Sequence, residues 1–226
     1  MKHLVILSGA GISAESGIRT FRDSDGLWEE YDVMRVASID GWHEDKELIL
    51  RFYNERRKQL KNAEPNRGHQ VIAELEKNFK VSVITQNVDN LHERAGSTNV
   101  LHLHGELTKV CSCNNKNLVT DIGYEDIHIG DKASDGAQLR PFIVWFGEAV
   151  PMIELAAEIV SSADILVIVG TSLQVYPAAG LVDFAIPGIP VYLIDPNEVQ
   201  SRRKVVCIKE KASTGMEKFR ELIAGL

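Results

Sequence analysis

Five short runs of Val, Ile and Leu set the fold problem for this chain: residues 4–7, 81–85, 165–170, 191–195 and 205–208. Each is nearly continuous rather than alternating, as in strands of a parallel sheet covered on both faces. Stretches of helical period lie between them. Residues 69–78 place Val71, Ile72 and Leu75 together. Residues 152–161 do the same with Ile153, Leu155, Ala156 and Ile159, and the C-terminal stretch with Met216, Phe219, Leu222 and Ile223. Strands alternating with helices predict an α/β fold, doubly wound and Rossmann-like, around a parallel sheet.

Two segments interrupt the alternation. Residues 28–62 are charged, with a helical pattern over 46–60. Residues 106–147 are polar and turn-rich, with Asn114-Asn115, Gly123, Gly130 and Asp135-Gly136. Both read as insertions that together form a smaller lobe. The Rossmann-like part then comprises residues 1–27, 63–105 and 148–226 of a single catalytic domain. A cleft between the lobes is the default ligand site.

The formal net charge of −7 argues against a general nucleic-acid partner, which needs a basic footprint. The apolar run at residues 4–7 is too short for a signal peptide or a membrane span. Cys111, Cys113 and Cys207 form no disulfide framework, so a reducing, cytoplasmic setting is expected, with no membrane partner.

The first run ends in Ser8-Gly9-Ala10-Gly11-Ile12-Ser13-Ala14-Glu15-Ser16-Gly17. Glycines directly after a strand allow backbone N–H groups to approach a pyrophosphate beside a helix N-terminus. A hydride-transferring dehydrogenase would continue into a second strand ending in an acid. Here the chain continues as Ile18-Arg19-Thr20-Phe21-Arg22-Asp23, which is not strand-like, and the next convincing strand is at 81–85. The dehydrogenase fingerprint fails in its second half.

Five motifs in order resemble the sirtuins, the NAD-dependent protein deacylases. They are the loop from Gly9 to Arg22; Thr85-Gln86-Asn87-Val88-Asp89-Asn90-Leu91-His92; Leu103-His104-Gly105-Glu106; Val144-Trp145-Phe146-Gly147-Glu148; and Gly170-Thr171-Ser172-Leu173-Gln174-Val175-Tyr176-Pro177-Ala178. The resemblance implies NAD consumed as co-substrate, an acyl-lysine protein as partner, and acyl transfer to ADP-ribose with release of nicotinamide. It assigns the catalytic base to His104, whose residue type titrates near working pH. It assigns the cofactor loop to Gly9, Ala10, Gly11, Ser13, Ala14, Gly17, Phe21, Arg22 and Trp28. Gln86, Asn87 and Asp89 fall to the nicotinamide and its ribose; Gly170, Thr171 and Ser172 to phosphate and ribose. Asp195, Asn197 and Ala212 fall to the adenosine side. His102 is expected on the same strand face as His104; only the His-Gly step of the family motif separates the two.

In the family the acyl-lysine peptide adds as a strand beside an edge segment, here Val144, Phe146 and Gly147, with Phe146 lining the lysine tunnel. Tyr53 and Arg56 are three residues apart, so on a helix they share a face. A guanidinium fork with a phenol suits a carboxylate. The pair matches the sirtuin subgroup that removes succinyl and malonyl groups, and Ala37 matches that subgroup's small residue. A solvated helix face is the alternative, since Arg51, Arg57 and Lys58 surround the pair.

Most sirtuins hold the smaller lobe with zinc on two cysteine pairs. Here Ser112 and Asn115 stand where the first pair falls, and residues 131–140 contain no cysteine. A structural zinc site needs four ligands, so no metal is expected. An ADP-ribosyltransferase, an acetyl-preferring deacetylase and a non-catalytic NAD-sensing module remain open as alternatives.

Overall fold

The computed structural model describes residues 1–18, 31–199, 201 and 203–225, with the backbone of 27–28. Along the chain the elements are β1 (His3–Ser8), the hairpin strands β2 (Leu27–Trp28) and β3 (Tyr31–Asp32), α1 (Val33–Val36), α2 (Ile39–Glu44), α3 (Lys46–Asn62), α4 (Arg67–Leu75), β4 (Lys80–Thr85), α5 (Leu91–Ala95), β5 (Val100–His102), β6 (Gly105–Ser112), β7 (Val119–Asp121), β8 (Leu139–Ile143), α6 (Ile153–Ser161), β9 (Ile165–Val169), β10 (Val191–Ile194), β11 (Val206–Ile208) and α7 (Ala212–Leu222).

Six strands form one parallel sheet in the order β5-β4-β1-β9-β10-β11. The chain starts in the middle, builds outward to β4 and β5, then returns to the other side of β1. That reversal falls at the C-terminal ends of β1 and β9, where doubly wound sheets bind their ligands. The fold is the expected α/β class.

Strand alternation explains the unbroken apolar runs. Leu4, Ile6, Val83 and Val167 pack under α4 and α7 with Ile72, Met216 and Phe219. Their neighbours Val5, Leu7, Leu166 and Ile168 pack on the opposite face with Ala156, Val160 and Leu181. Both faces are dry, so neither can be polar. On the first face an Asn66 capping box starts α4. Arg67 ties α4 to α7 through Glu217 at 2.6 Å.

A second, antiparallel sheet orders β7-β6-β8. Its core draws Phe52, Tyr53 and Leu60 from α3 and packs them on Leu107, Val110, Ile143 and Trp145. Asp45 caps α3 by accepting from Leu48 N at 2.9 Å. The basic run on α3 is not one solvated face. Arg57 is fully buried, donating to the carbonyl oxygens of Glu125 at 2.8 Å and Leu107 at 3.4 Å. Burial lowers its pKa to about 10.

Two local expectations are corrected. Val144 and Trp145 are not in an edge strand. The strand is β8, one step earlier, and Phe146 makes a single parallel bridge to Ser38. β5 ends at His102, so His104 lies in the bend before β6 and the two histidines do not share a strand face. Among the described residues no helix is long and apolar enough to cross a membrane.

Candidate functional site

The C-terminal ends of β1, β4 and β9 lie side by side, with Ser8 paired to Thr85 and to Val169. Their loops are pressed backbone to backbone. A Cβ on Gly11 would sit 2.7 Å from the Gly170 Cα, and one on Gly170 2.3 Å from the Ile12 nitrogen. Gly170 also has φ +64, a region other residues rarely adopt.

The glycine N–H groups are not turned outward as the sequence suggested. Gly9 N donates to Val169 O at 3.0 Å and Gly11 N to Gly170 O at 2.8 Å. The glycines therefore serve the close approach of two loops. From Ala10 on the loop forms two short 3-10 turns, Ala10–Ile12 and Ala14–Ser16, closed by Gly17 at φ +83, rather than a long helix. Phe21 and Arg22 lie outside the described residues, as does the side chain of Trp28.

Ser13 joins the loop to the β4 end. Its hydroxyl donates to Asp89 Oδ2 at 2.9 Å and accepts from Asn87 Nδ2 at 3.1 Å. Asp89 also accepts from Leu91 N at 3.1 Å, at the entry to α5. Burial raises the Asp89 pKa, and the bonds from Leu91 and Ser13 work against that rise. Gln86 Nε2 donates to Thr171 Oγ1 at 3.1 Å, tying β4 to β9.

The two neighbouring histidines hold the same loop but differ in charge. His104 Nδ1 lies 3.0 Å from the Gln86 carbonyl oxygen. A carbonyl only accepts, so Nδ1 carries the proton. Nε2 has no hydrogen-bond partner among the described residues. Burial lowers the His104 pKa, with the Gln86 carbonyl opposing it. The result is a neutral imidazole with its lone pair on Nε2.

His102 meets the Asn87 carbonyl through Nδ1 at 2.9 Å and Glu93 Oε1 through Nε2 at 2.8 Å. Both partners accept, which calls for an imidazolium. Burial lowers the His102 pKa, but Glu93 outweighs it and the net shift is upward. One histidine is a base and its neighbour is half of an ion pair.

The residue after His104 must be glycine. Gly105 has φ +84, and a Cβ there would sit 2.0 Å from the Phe142 oxygen. The sequence carries this constraint as the His-Gly step.

Asp195 follows β10 and is buried, accepting from Asn197 N at 2.9 Å. Asn197 is exposed and Ser172 half-buried. Ala212 opens α7 in the core against Gly68, and Glu15 accepts from Ser213 N at 2.9 Å to join the loop to that helix.

On the other flank, Phe146 N donates to Ala37 O at 2.9 Å and Phe146 O accepts from Ile39 N at 3.0 Å. Val144 N is used by His104 O at 2.9 Å. Backbone pairing with a peptide therefore cannot use those groups. Gly147, exposed at φ +88, makes no hydrogen bond among the described residues. The Phe146 side chain is 41% exposed. Tyr53 and Arg56 are both buried, and the Arg56 guanidinium lies 4.7 Å from the Phe52 ring.

The Sir2 family profile matches residues 9–177, which takes in the loops after β1, β4 and β9, His104 and the Val144–Glu148 segment. The chain belongs to the Sir2 family. It is 57% identical to an NAD-dependent protein deacylase of Bacteroides thetaiotaomicron, over 99% of this chain and 98% of that protein. It is 55% identical to a protein of the same name from Helicobacter pylori, over 96% and 95%. Among solved structures, a Sir2 homologue in complex with NAD superposes with a TM-score of 0.88 at 39% identity, covering 99% of this chain and 90% of that one. A Sir2 protein bound to an acetylated peptide superposes at 0.81 and 29% identity, over 97% and 92%.

The site suits the Sir2 cofactor, NAD. The loops after β1, β4 and β9 meet at the switch point of the sheet, and the β4 loop carries a carboxylate, Asp89, two amides, Asn87 and Gln86, and the carbonyl that holds the neutral His104. Zinc does not suit the smaller sheet. Ser112 Oγ donates to Asp135 Oδ2 at 2.6 Å and accepts from Asn114 N at 3.1 Å and Asn115 N at 3.3 Å. One carboxylate and a saturated hydroxyl are no thiolate set.

Sequence reasoning missed Glu93, which selects His102 for the ion pair. It also missed the role of Glu148. That carboxylate accepts from Arg140 Nη1 at 2.8 Å and from Trp145 N at 3.0 Å, anchoring the fourth motif. A charged residue closing an apolar motif was the available signal.

Proposed function

We propose that this chain removes succinyl and malonyl groups, and acetyl groups as well, from protein lysines in the cytoplasm. The class, an NAD-dependent protein deacylase, follows from membership of the Sir2 family and from the relatives that carry that name. The observation that carries the residue assignment is the neutral His104 with Nε2 open, beside the Ser13–Asn87–Asp89 cluster.

Bound NAD supplies the departing nicotinamide and the ribose that receives the acyl group. Asp89, Asn87 and Gln86 orient the nicotinamide carboxamide and ribose, with Phe21 covering them and Arg22 and Trp28 completing the loop. Gly9, Ala10, Gly11, Ser13, Ala14 and Gly17 shape the pyrophosphate side with Gly170, Thr171 and Ser172. Asp195, Asn197 and Ala212 take the adenosine side. His104 Nε2 takes a proton from a ribose hydroxyl while its Nδ1–H stays on Gln86, so the ring neither tilts nor changes tautomer. With one water consumed, the products are nicotinamide, lysine and O-acyl-ADP-ribose.

The lobe of residues 28–62 and 106–147 bears the acyl selectivity, a division supported by the core that joins α3 to β6 and β8. Tyr53 and Arg56 receive the acyl carboxylate and Ala37 leaves room for the longer chain. Support comes from their burial: an Arg that is 7% exposed beside a 1% exposed phenol is not a solvated face. Phe146 lines the lysine stem, and Gly147 and the Val144 carbonyl offer backbone to the peptide. The test is Arg56→Met. Desuccinylation should fall at least tenfold more than deacetylation; equal losses would reject the carboxylate role.

A further inference from the structure

Tyr53 is buried in the core of the smaller lobe, yet its hydroxyl is committed in a particular direction. Trp145 Nε1 lies 2.9 Å from it. Indole N–H can only donate, so the Tyr53 oxygen is the acceptor. The phenol has one proton, and no acceptor for it exists among the described residues.

The indole itself is fixed from three sides. Arg140 stacks on it with 3.7 Å from Cζ to the ring centroid, and Trp42 packs at 5.3 Å. The Trp145 backbone N–H is held by Glu148, which also pairs with Arg140. A ring clamped in this way holds its N–H in one direction.

We infer that Trp145 is a positioning residue for acyl selectivity: its indole N–H occupies the acceptor side of the Tyr53 oxygen, so that the Tyr53 proton is presented to the carboxylate of an acidic acyl chain. This rests on the reading that Tyr53 and Arg56 receive that carboxylate. A donor whose own oxygen is hydrogen-bonded is both oriented and more polarised, so it binds an anion more strongly. Burial raises the Tyr53 pKa, which keeps its proton in place through the working pH range. Arg56 is close enough to act on the phenol electrostatically. A neutral acyl chain of similar length gains nothing from the arrangement.

The test measures KM and kcat for succinyl-lysine and butyryl-lysine peptides with NAD. It compares wild type, Trp145→Phe, Tyr53→Phe and the double variant. Because the indole is stacked, the isostere 3-benzothienylalanine at position 145, with sulfur for N–H, serves if Trp145→Phe does not fold. Loss of the N–H should raise the succinyl KM about fivefold to tenfold over any change for butyryl, with kcat little altered. In the Tyr53→Phe background it should add no further succinyl-specific loss. A loss shared equally by both substrates, or one that persists in full without the Tyr53 hydroxyl, would overturn the inference. If Tyr53→Phe itself leaves the succinyl-to-butyryl ratio unchanged, the carboxylate reading falls and the inference with it.

Discussion

His104 is held to Gln86 by a hydrogen bond from Nδ1 to the backbone carbonyl, 3.0 Å long, and this fixes which nitrogen can act as a base. The base works when neutral, and burial lowers its pKa below the ordinary 6.5. Activity should therefore persist below pH 6.5 and fall only as His104 becomes protonated on further acidification. The acid limb of kcat/KM against pH measures this. An inflection above 6.5 would assign the limb to another group.

A second pair of histidines ties stability to pH. His92 and His69 meet edge to face with centroids 4.9 Å apart, both fully buried. His92 Nε2 is 2.9 Å from Ser8 Oγ. Burial lowers both pKa values, that of His69 to about 4. A depressed histidine pKa means the folded state favours the neutral ring. Its contribution is complete above 6.5 and is lost as pH falls toward 4. Through His69 alone the loss is about 3 kcal/mol. Denaturant titrations at pH 7, 5.5 and 4.5 should show the fall, and the double variant His69→Leu/His92→Leu should flatten it. An unchanged slope in that variant would exclude the pair as its source.

The smaller sheet stands on the Ser112–Asp135 contact and on the buried Arg140–Glu148 pair. Burial raises the Glu148 pKa, but the bonds from Arg140 and Lys116 outweigh it and bring the value down to about 2. Ser112→Ala leaves the N–H groups of Asn114 and Asn115 without their acceptor, and should cost about 1–2 kcal/mol. Chelator should leave Tm unchanged in the wild type. A drop in Tm with EDTA, restored by zinc, would contradict this account of the lobe.

The parallel sheet was legible because burial on both faces leaves the strands nearly continuously apolar, as in β9 and in Leu4–Leu7 of β1. The strands of the smaller sheet were not. β6 mixes Glu106, Thr108 and Lys109 with apolar residues, its register shifts between Gly105 and Val110, and its context is turn-rich. The site motifs were legible as residue types, whereas their directions were not. Gly9 and Gly11 have the spacing of a phosphate cradle, yet their N–H groups close on β9. The contrast between His102 and His104 depends on Glu93, which reaches His102 across a loop, and no local pattern carries that contact.

The central claim is that His104 turns over NAD and acyl-lysine together. Incubating acetyl-, malonyl- and succinyl-lysine peptides with NAD, and scoring free lysine, nicotinamide and O-acyl-ADP-ribose by mass spectrometry, tests it most directly. Wild type should yield all three in equal amounts, and His104→Ala at least about a hundredfold less. Undiminished turnover in that variant, or ADP-ribose attached to the peptide in place of freed lysine, would contradict it.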